Sequence, residues 1–182
     1  MSIEHWEIES SRSAIHFAVR HLVLSKTRGR FNRWSGTLMV PDGDVSRATV
    51  NVVIDASSID TGVVRRDEHL RSADYLGVNR HPRITFTSRR VNAEPDGRLR
   101  VVGALTIRDV TREIALDVVS NGRTLEPWGK YRAGFSAKAA IDRREFGFTG
   151  NPALDAGGLV IGERIDVEIE VQAVRQPAVR VA

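Results

Sequence analysis

Apolar and polar residues alternate along most of this chain. Tyr131, Ala133, Phe135, Ala137, Ala139 and Ile141 fall on one parity, and so do Ile165, Val167, Ile169, Val171 and Ala173. A period of two is the mark of β-strands with one face toward an apolar interior. Several of these inward positions are alanine. A wall paved partly with alanine cannot fill a wide barrel, so the pattern predicts a hollow with room for an apolar guest.

The same reading orders the strands. Ile15, Phe17 and Val19 alternate with Ala14, His16 and Ala18. Gly36 to Val40 reads as a short strand ended by the turn Pro41-Asp42-Gly43. Val50, Val52 and Ile54 share a face, as do Ile84, Phe86 and Ser88. After Glu94-Pro95-Asp96-Gly97 come Leu99, Val101, Gly103, Leu105 and Ile107. A tight connection at Asp109-Val110-Thr111 leads to Ile114, Leu116 and Val118, with Asn121-Gly122 read as the strand end. Two long strands follow, around Tyr131–Ile141 and Ile161–Val174.

Short turns between successive strands imply antiparallel neighbours. The chain is therefore expected to be all-β, an antiparallel up-and-down barrel of roughly eight or more strands whose lumen holds one small ligand. Residues 65–76 carry no β-branched run and predict one short helical excursion, introduced by Thr61-Gly62 and ended by His81-Pro82. Such an excursion would cap one mouth. Residues 1–175 read as a single domain, and 176–182 as a loose C-terminal tail.

Composition narrows the function classes. The chain has 182 residues and is 41% hydrophobic, enough for one domain with a core. No apolar run is long enough for a membrane-spanning helix. The start lacks a basic, then apolar, then small-residue leader pattern, so a cytoplasmic location is expected. Cysteine is absent, which excludes disulfides and thiolate chemistry. The net charge is +4, and among the basic residues only Lys26, Lys130 and Lys138 are lysine. The arginines are interleaved with acids, as in Arg143-Arg144-Glu145, which suits a solvated outer face better than a nucleic-acid footprint. The same charge would suit an anionic headgroup or transient contact with an anionic membrane surface.

Candidate chemistry is sparse. His5, His16, His21, His69 and His81 show no metal-ligand spacing, so no metal site is expected. No serine sits in a Gly-x-Ser-x-Gly turn. Asp67 and His69 lie two apart on the expected helix and cannot face each other as an orienting pair. Arg65, Arg66 and Arg71 form a basic cluster near the expected mouth.

At this point a family resemblance emerges, covering nearly the whole chain. It is carried by Ser13-Ala14-Ile15-His16-Phe17-Ala18-Val19-Arg20-His21-Leu22, Gly29-Arg30-Phe31 and Ser58-Ile59-Asp60-Thr61-Gly62. It continues through Arg66-Asp67-Glu68-His69-Leu70-Arg71-Ser72-Ala73-Asp74, His81-Pro82-Arg83-Ile84-Thr85-Phe86 and Gly103-Ala104-Leu105-Thr106-Ile107. It ends at Ile141-Asp142-Arg143-Arg144-Glu145-Phe146-Gly147. In this order the blocks resemble the YceI-like family of lipid- or polyisoprenoid-binding proteins. The resemblance implies a lipocalin-like barrel with a long apolar tunnel, and carriers of isoprenoid-type lipids such as polyprenyl chains and quinone tails. Many members are periplasmic; the leaderless start departs from that pattern. The resemblance brings no shared catalytic residue.

The expectation is thus a non-enzymatic carrier with no cofactor. Its expected wall takes Ile15, Phe17 and Val19 from the first strand and Val52 and Ile54 from a later one. Ile84 and Phe86, Leu105 and Ile107, Phe135 and Ala137, and Ile165, Val167 and Ile169 complete it. Arg66 and His69 are expected at the headgroup end. The alternative is an enzyme acting on a barrel-bound lipid, with His69 and Asp74 or Asp142 as its acid–base pair. An open barrel edge would allow a homodimer.

Overall fold

The computed structural model describes residues 1–21, 25–149 and 161–178. Its first six strands are three bent pairs. β1 (Ile3–Ile8) continues into β2 (Ala14–His21) after a 3-10 turn, and β3 (Ser25–Phe31) into β4 (Trp34–Pro41) across two residues. β5 (Thr49–Asp55) continues into β6 (Ile59–Asp60) through the 3-10 turn Ala56–Ser58. A helix, α1 (Val64–Arg71), precedes β7 (Arg83–Ala93), β8 (Leu99–Ile107), β9 (Val110–Leu125), β10 (Tyr131–Asp142) and β11 (Ile161–Arg175).

Each bent pair acts as one ribbon, because its two halves share a neighbour. β2 pairs with β3, and β1 with β4. β11 closes the ring, pairing β2 from Ile165↔Val19 to Glu170↔Ala14 and then β1 at Ile8↔Ala173. The result is a closed, antiparallel, eight-ribbon up-and-down barrel. Closure removes most free sheet edges. The helix lies at residues 64–71, starting one residue before and ending five residues before the expected 65–76. Residues 179–182 of the expected tail lie outside the described residues, and Gln176 N–H donates to the His5 carbonyl of β1 at 2.7 Å.

Three local expectations are corrected. Residues 3–8 and 25–31 are strands that the alternation did not single out. β3 reads Ser-Lys-Thr-Arg-Gly-Arg-Phe, with Phe31 as its one large apolar side chain. Its inward Gly29 is roofed by the Phe17 ring; a Cβ there would lie 2.3 Å from Phe17 Cζ. The neighbour supplies the apolar cover that the strand's own sequence lacks. Asn121-Gly122 does not end β9. Gly134 pairs with Gly122 while Phe135 pairs with Ser120, so Asn121 is an extra bulged residue and the strand runs on to Leu125. Gly122 absorbs the bend at φ +106°. The reversal comes at residues 126–130, where Glu126 N–H donates to the Lys130 carbonyl.

Outside the barrel, Arg132 of β10 joins two distant segments. Its Nε lies 2.6 Å from Glu126 Oε1 and its guanidinium 2.5 Å from Glu9 Oε2. Hydrogen bonding from Arg132 is the leading cause that holds both carboxyls below their ordinary value of 4.5. A depressed carboxylate stabilises the fold above its unfolded value and loses that contribution as the pH falls through its folded value. Stability from this cluster is therefore complete above about pH 5 and declines below 4.5. Arg132→Gln is expected to flatten the acid limb of a melting-temperature profile while leaving its neutral-to-alkaline shape unchanged. An acid limb as steep as the parent's would refute the assignment.

An apolar tunnel as candidate binding site

The parity that builds the strands also builds the site. Inward side chains enclose a cavity of about 1650 Å³ that runs between the two ends of the barrel. Every apolar wall residue expected from the sequence borders it, and so do Arg66 and His69. The alternation missed Trp6 and Ile8 of β1, Phe31 of β3, and Trp34 and Leu38 of β4. The signal was present in β1 and β4, whose inward residues also alternate, and the Gly36–Val40 strand read from the sequence lies within β4. On β10 the lining residues Ala133 to Ile141 span roughly 25–30 Å along the strand. Ala133, Ala137 and Ala139 leave the lumen open where larger side chains would close it.

Polar side chains gather at the ends. At the helix end, Asp67 is buried, and its Oδ1 accepts from Thr61 N–H at 2.9 Å and from the Thr61 hydroxyl at 2.5 Å. Arg66 donates to the Thr61 hydroxyl at 2.7 Å and to its carbonyl at 2.8 Å. Arg71 donates to the Ser57 and Ile59 carbonyls at 2.8 and 3.1 Å. These bonds staple α1 over the barrel rim. Much of the Arg66 guanidinium is thereby occupied by the chain itself.

The rest of this rim is aromatic. His69 meets Tyr75 edge-on at 4.9 Å, Tyr75 stacks on Phe148 at 6.5 Å, and Arg108 lies 4.4 Å over the Phe148 ring. Phe146 is fully buried beneath them. His69 Nε2 is 3.6 Å from Asp74 Oδ2, with both side chains well exposed. Asp142 is engaged elsewhere, accepting from Arg144 at 2.8 and 3.1 Å. Of the two partners considered for His69, the structure brings Asp74 to it.

The opposite end carries a different cluster. Glu4 points inward, accepts from Trp6 Nε1 at 3.0 Å and lies 3.6 and 3.5 Å from Arg123 and Arg175. Trp6 packs with Val40, Ala48, Ala133 and Ala173, narrowing the tunnel there. Among the described residues, no group of three or more His, Asp or Glu is placed to hold a metal.

A closed up-and-down barrel around an apolar cavity is the lipocalin-like architecture, in which the lumen can house one ligand. The YceI-like domain model matches residues 6–173, and the chain belongs to that family. A UPF0312 protein of Pectobacterium atrosepticum is 38% identical over 168 residues, 92% of this chain and 84% of the relative. Another from Vibrio vulnificus is 32% identical over 170 residues, 93% of this chain and 86% of that one. The crystal structure of a Campylobacter jejuni YceI protein matches with a TM-score of 0.74 and 28% identity, covering 87% of this chain and 90% of its own. A polyisoprenoid binding domain from Saccharophagus degradans shares the fold, with a TM-score of 0.67, 16% identity, and coverage of 94% and 98%. No described helix is long and apolar enough to cross a membrane.

Proposed function

We propose that this protein is a non-enzymatic carrier that holds one long isoprenoid-type lipid, a polyprenyl chain or quinone tail, in its tunnel. The observation that carries this reading is the size and lining of the cavity. Its volume of about 1650 Å³ exceeds the roughly 300–1,000 Å³ typical of sites for drug-sized ligands. Its middle is walled by aliphatic and aromatic side chains. Burial there is worth roughly 25 cal/mol per Å² of apolar surface before the costs of binding are subtracted, so a long chain needs few polar anchors. The Saccharophagus degradans neighbour, described as polyisoprenoid-binding, supports the same ligand class.

The polar head is placed at the helix end. His69 is exposed there, Arg65 has no acidic partner among the described residues, and Arg66 shapes the rim through Thr61. Catalysis on a bound lipid is the weaker reading, because its best acid–base pair, His69 with Asp74, is a long contact between exposed side chains.

Mass spectrometry of organic extracts of the purified protein tests the proposal. An isoprenoid lipid near one per protein is the expected result. Empty extracts, together with no uptake of added polyprenol or quinone, would overturn it. Turnover of such a lipid that vanished in His69→Ala would instead favour the enzyme.

A further inference from the structure

We propose that the helix end of the barrel docks on an anionic lipid bilayer, with Val63 and Val64 entering the interface and Arg20, Lys26, Arg28 and Arg65 facing the headgroups. The proposal rests on the lipid-binding reading, which gives the docking its purpose. Its surface lies on the rim and outer wall, so it can fail independently.

The topology places these residues together. Antiparallel order brings the ends of β2, β6, β8 and β10 to one rim. Arg30 pairs with Asp60 and Phe31 with Ile59, so the chain leaving β6 runs beside β3 before entering α1. Among the described residues, β3 from Ser25 to Gly29 is paired with β2 alone. Thr27 and Phe31 line the tunnel, which turns Lys26, Arg28 and Arg30 outward. Arg20 stands opposite Lys26 on β2.

Two features meet at this rim, although the opposite end also exposes Leu125, Trp128 and Tyr131. The first is apolar exposure at the tunnel entrance. Val63 is 47% and Val64 74% exposed, and Val63 also borders the cavity. A scattered exposed valine means little. Two in succession at the mouth of a lipid-sized tunnel, followed directly by Arg65 and Arg66, form an interfacial tip.

The second feature is uncompensated charge. Arg33, Arg47, Arg89, Arg98, Arg144 and Arg164 on the outer surface each have a carboxylate within 3.5 Å. Arg20, Lys26, Arg28 and Arg65 have none among the described residues and lie on adjoining segments, whereas Arg80, Arg83, Arg100, Arg112, Lys130 and Lys138, also without one, sit on separate elements, and Arg30 faces Asp60. Asp74 is an exposed acid on this rim, 3.6 Å from His69, while other nearby acids are engaged or set apart. Asp67 is buried in its bonds to Thr61, and Asp166 is held by Arg164 at 2.8 Å. The acidic row of β11 lies two strands, roughly 10 Å, from β3, across the outward Ala14, His16 and Ala18 of β2. Glu68 is the exposed acid on α1.

Charge also chooses the occupant. The edge of β3 from Ser25 to Gly29, unpaired among the described residues, could take a second copy, but Lys26 and Arg28 would then meet their own duplicates, and like charges across a strand pair are destabilising. A nucleic acid would use the cations and leave the valines without a role. An anionic bilayer uses both. Each basic residue near such a surface strengthens binding about fivefold. The attraction fades as the screening length falls from about 10 Å at 0.1 M ionic strength to about 3 Å at 1 M.

Co-sedimentation of the full chain with vesicles tests this, comparing phosphatidylcholine alone with phosphatidylcholine mixed with phosphatidylglycerol. The expected result is binding to the mixed vesicles that high salt abolishes. Lys26→Glu/Arg28→Glu is expected to weaken it by more than about 25-fold. Val64→Asp is expected to weaken it too. Melting temperature and extracted lipid are expected to stay at parental values in both variants. Equal binding to both vesicles, no binding, or full binding by a folded Lys26→Glu/Arg28→Glu variant would overturn the proposal. So would loss of binding in Trp128→Ala, since Trp128 is exposed at the opposite end. Tighter binding to DNA than to vesicles, or a dimer that the charge reversals strengthen, would overturn it in favour of those partners. Vesicle binding without any extractable lipid would keep the docking surface and reject the carrier.

Discussion

Ala137→Phe is expected to empty the tunnel while leaving the barrel folded. Ala137 sits mid-wall on β10, paired with Ile169 of β11 and Val118 of β9, and its methyl group borders the cavity. A benzyl side chain in its place projects along the same inward direction, into space that the cavity now occupies. The strand hydrogen bonds are unaffected, because the backbone keeps its register. The guest loses wall contact over the length of the ring. At about 0.8 kcal/mol per buried CH₂, displacing only two such groups weakens binding roughly tenfold. Extraction of wild type and variant in parallel, with a thermal melt of each, makes the measurement. Equal lipid content in a folded variant would show that the ligand does not pass Ala137. If the variant melts early, Ala139→Phe on the same face repeats the test at a less tightly buried position.

Gly103→Ala is expected to have the largest effect on stability. Gly103 faces inward on β8, opposite Ile114 of β9 and Ser88 of β7, beside a bulge in β7. A Cβ there would lie 2.5 Å from the Thr87 carbonyl oxygen and 2.6 Å from the Phe86 ring. A ring can swing aside; a carbonyl within the β7–β8 ladder cannot move without disturbing hydrogen bonds. Overpacking of this kind costs about 1–3 kcal/mol, which lowers the melting temperature by about 2–12 °C in a domain of this size. Gly29→Ala provides the contrast. The atoms nearest its added Cβ all belong to the Phe17 ring, which borders the open lumen and can rotate into it. Differential scanning calorimetry of the two variants is expected to show the larger drop for Gly103→Ala. The reverse order would mean that the β7–β8 bulge yields more easily than the Phe17 ring.

Both predictions depend on a division visible throughout the molecule. Inward and outward faces were legible along the chain because side-chain parity is a local property of a strand. Ile165, Val167 and Ile169 face the lumen for the reason they alternate in sequence. The tunnel itself was legible from Ala133, Ala137 and Ala139, since small residues on an inward face leave volume wherever the barrel is wide.

Other features depended on partners far away in the sequence. β3 was hidden because its inward glycine is covered by Phe17 of β2, so its own residues carry little apolar signal. Asn121-Gly122 resembled a turn, and became a bulge only because β10 offers a continuing ladder as far as Tyr131↔Leu125. Arg66 looked like a free cation at the mouth, yet Thr61 holds it, while Arg65 next to it has no such partner among the described residues.

The sequence by itself determined the strand class, the inward face and the hollow, because each follows from period-two alternation and side-chain size within one segment. Tertiary structure alone decided how the bent ribbons close the ring, which cations are neutralised and where the rim exposes Val63 and Val64. Those outcomes depend on hydrogen bonds and charges brought together from segments dozens of residues apart.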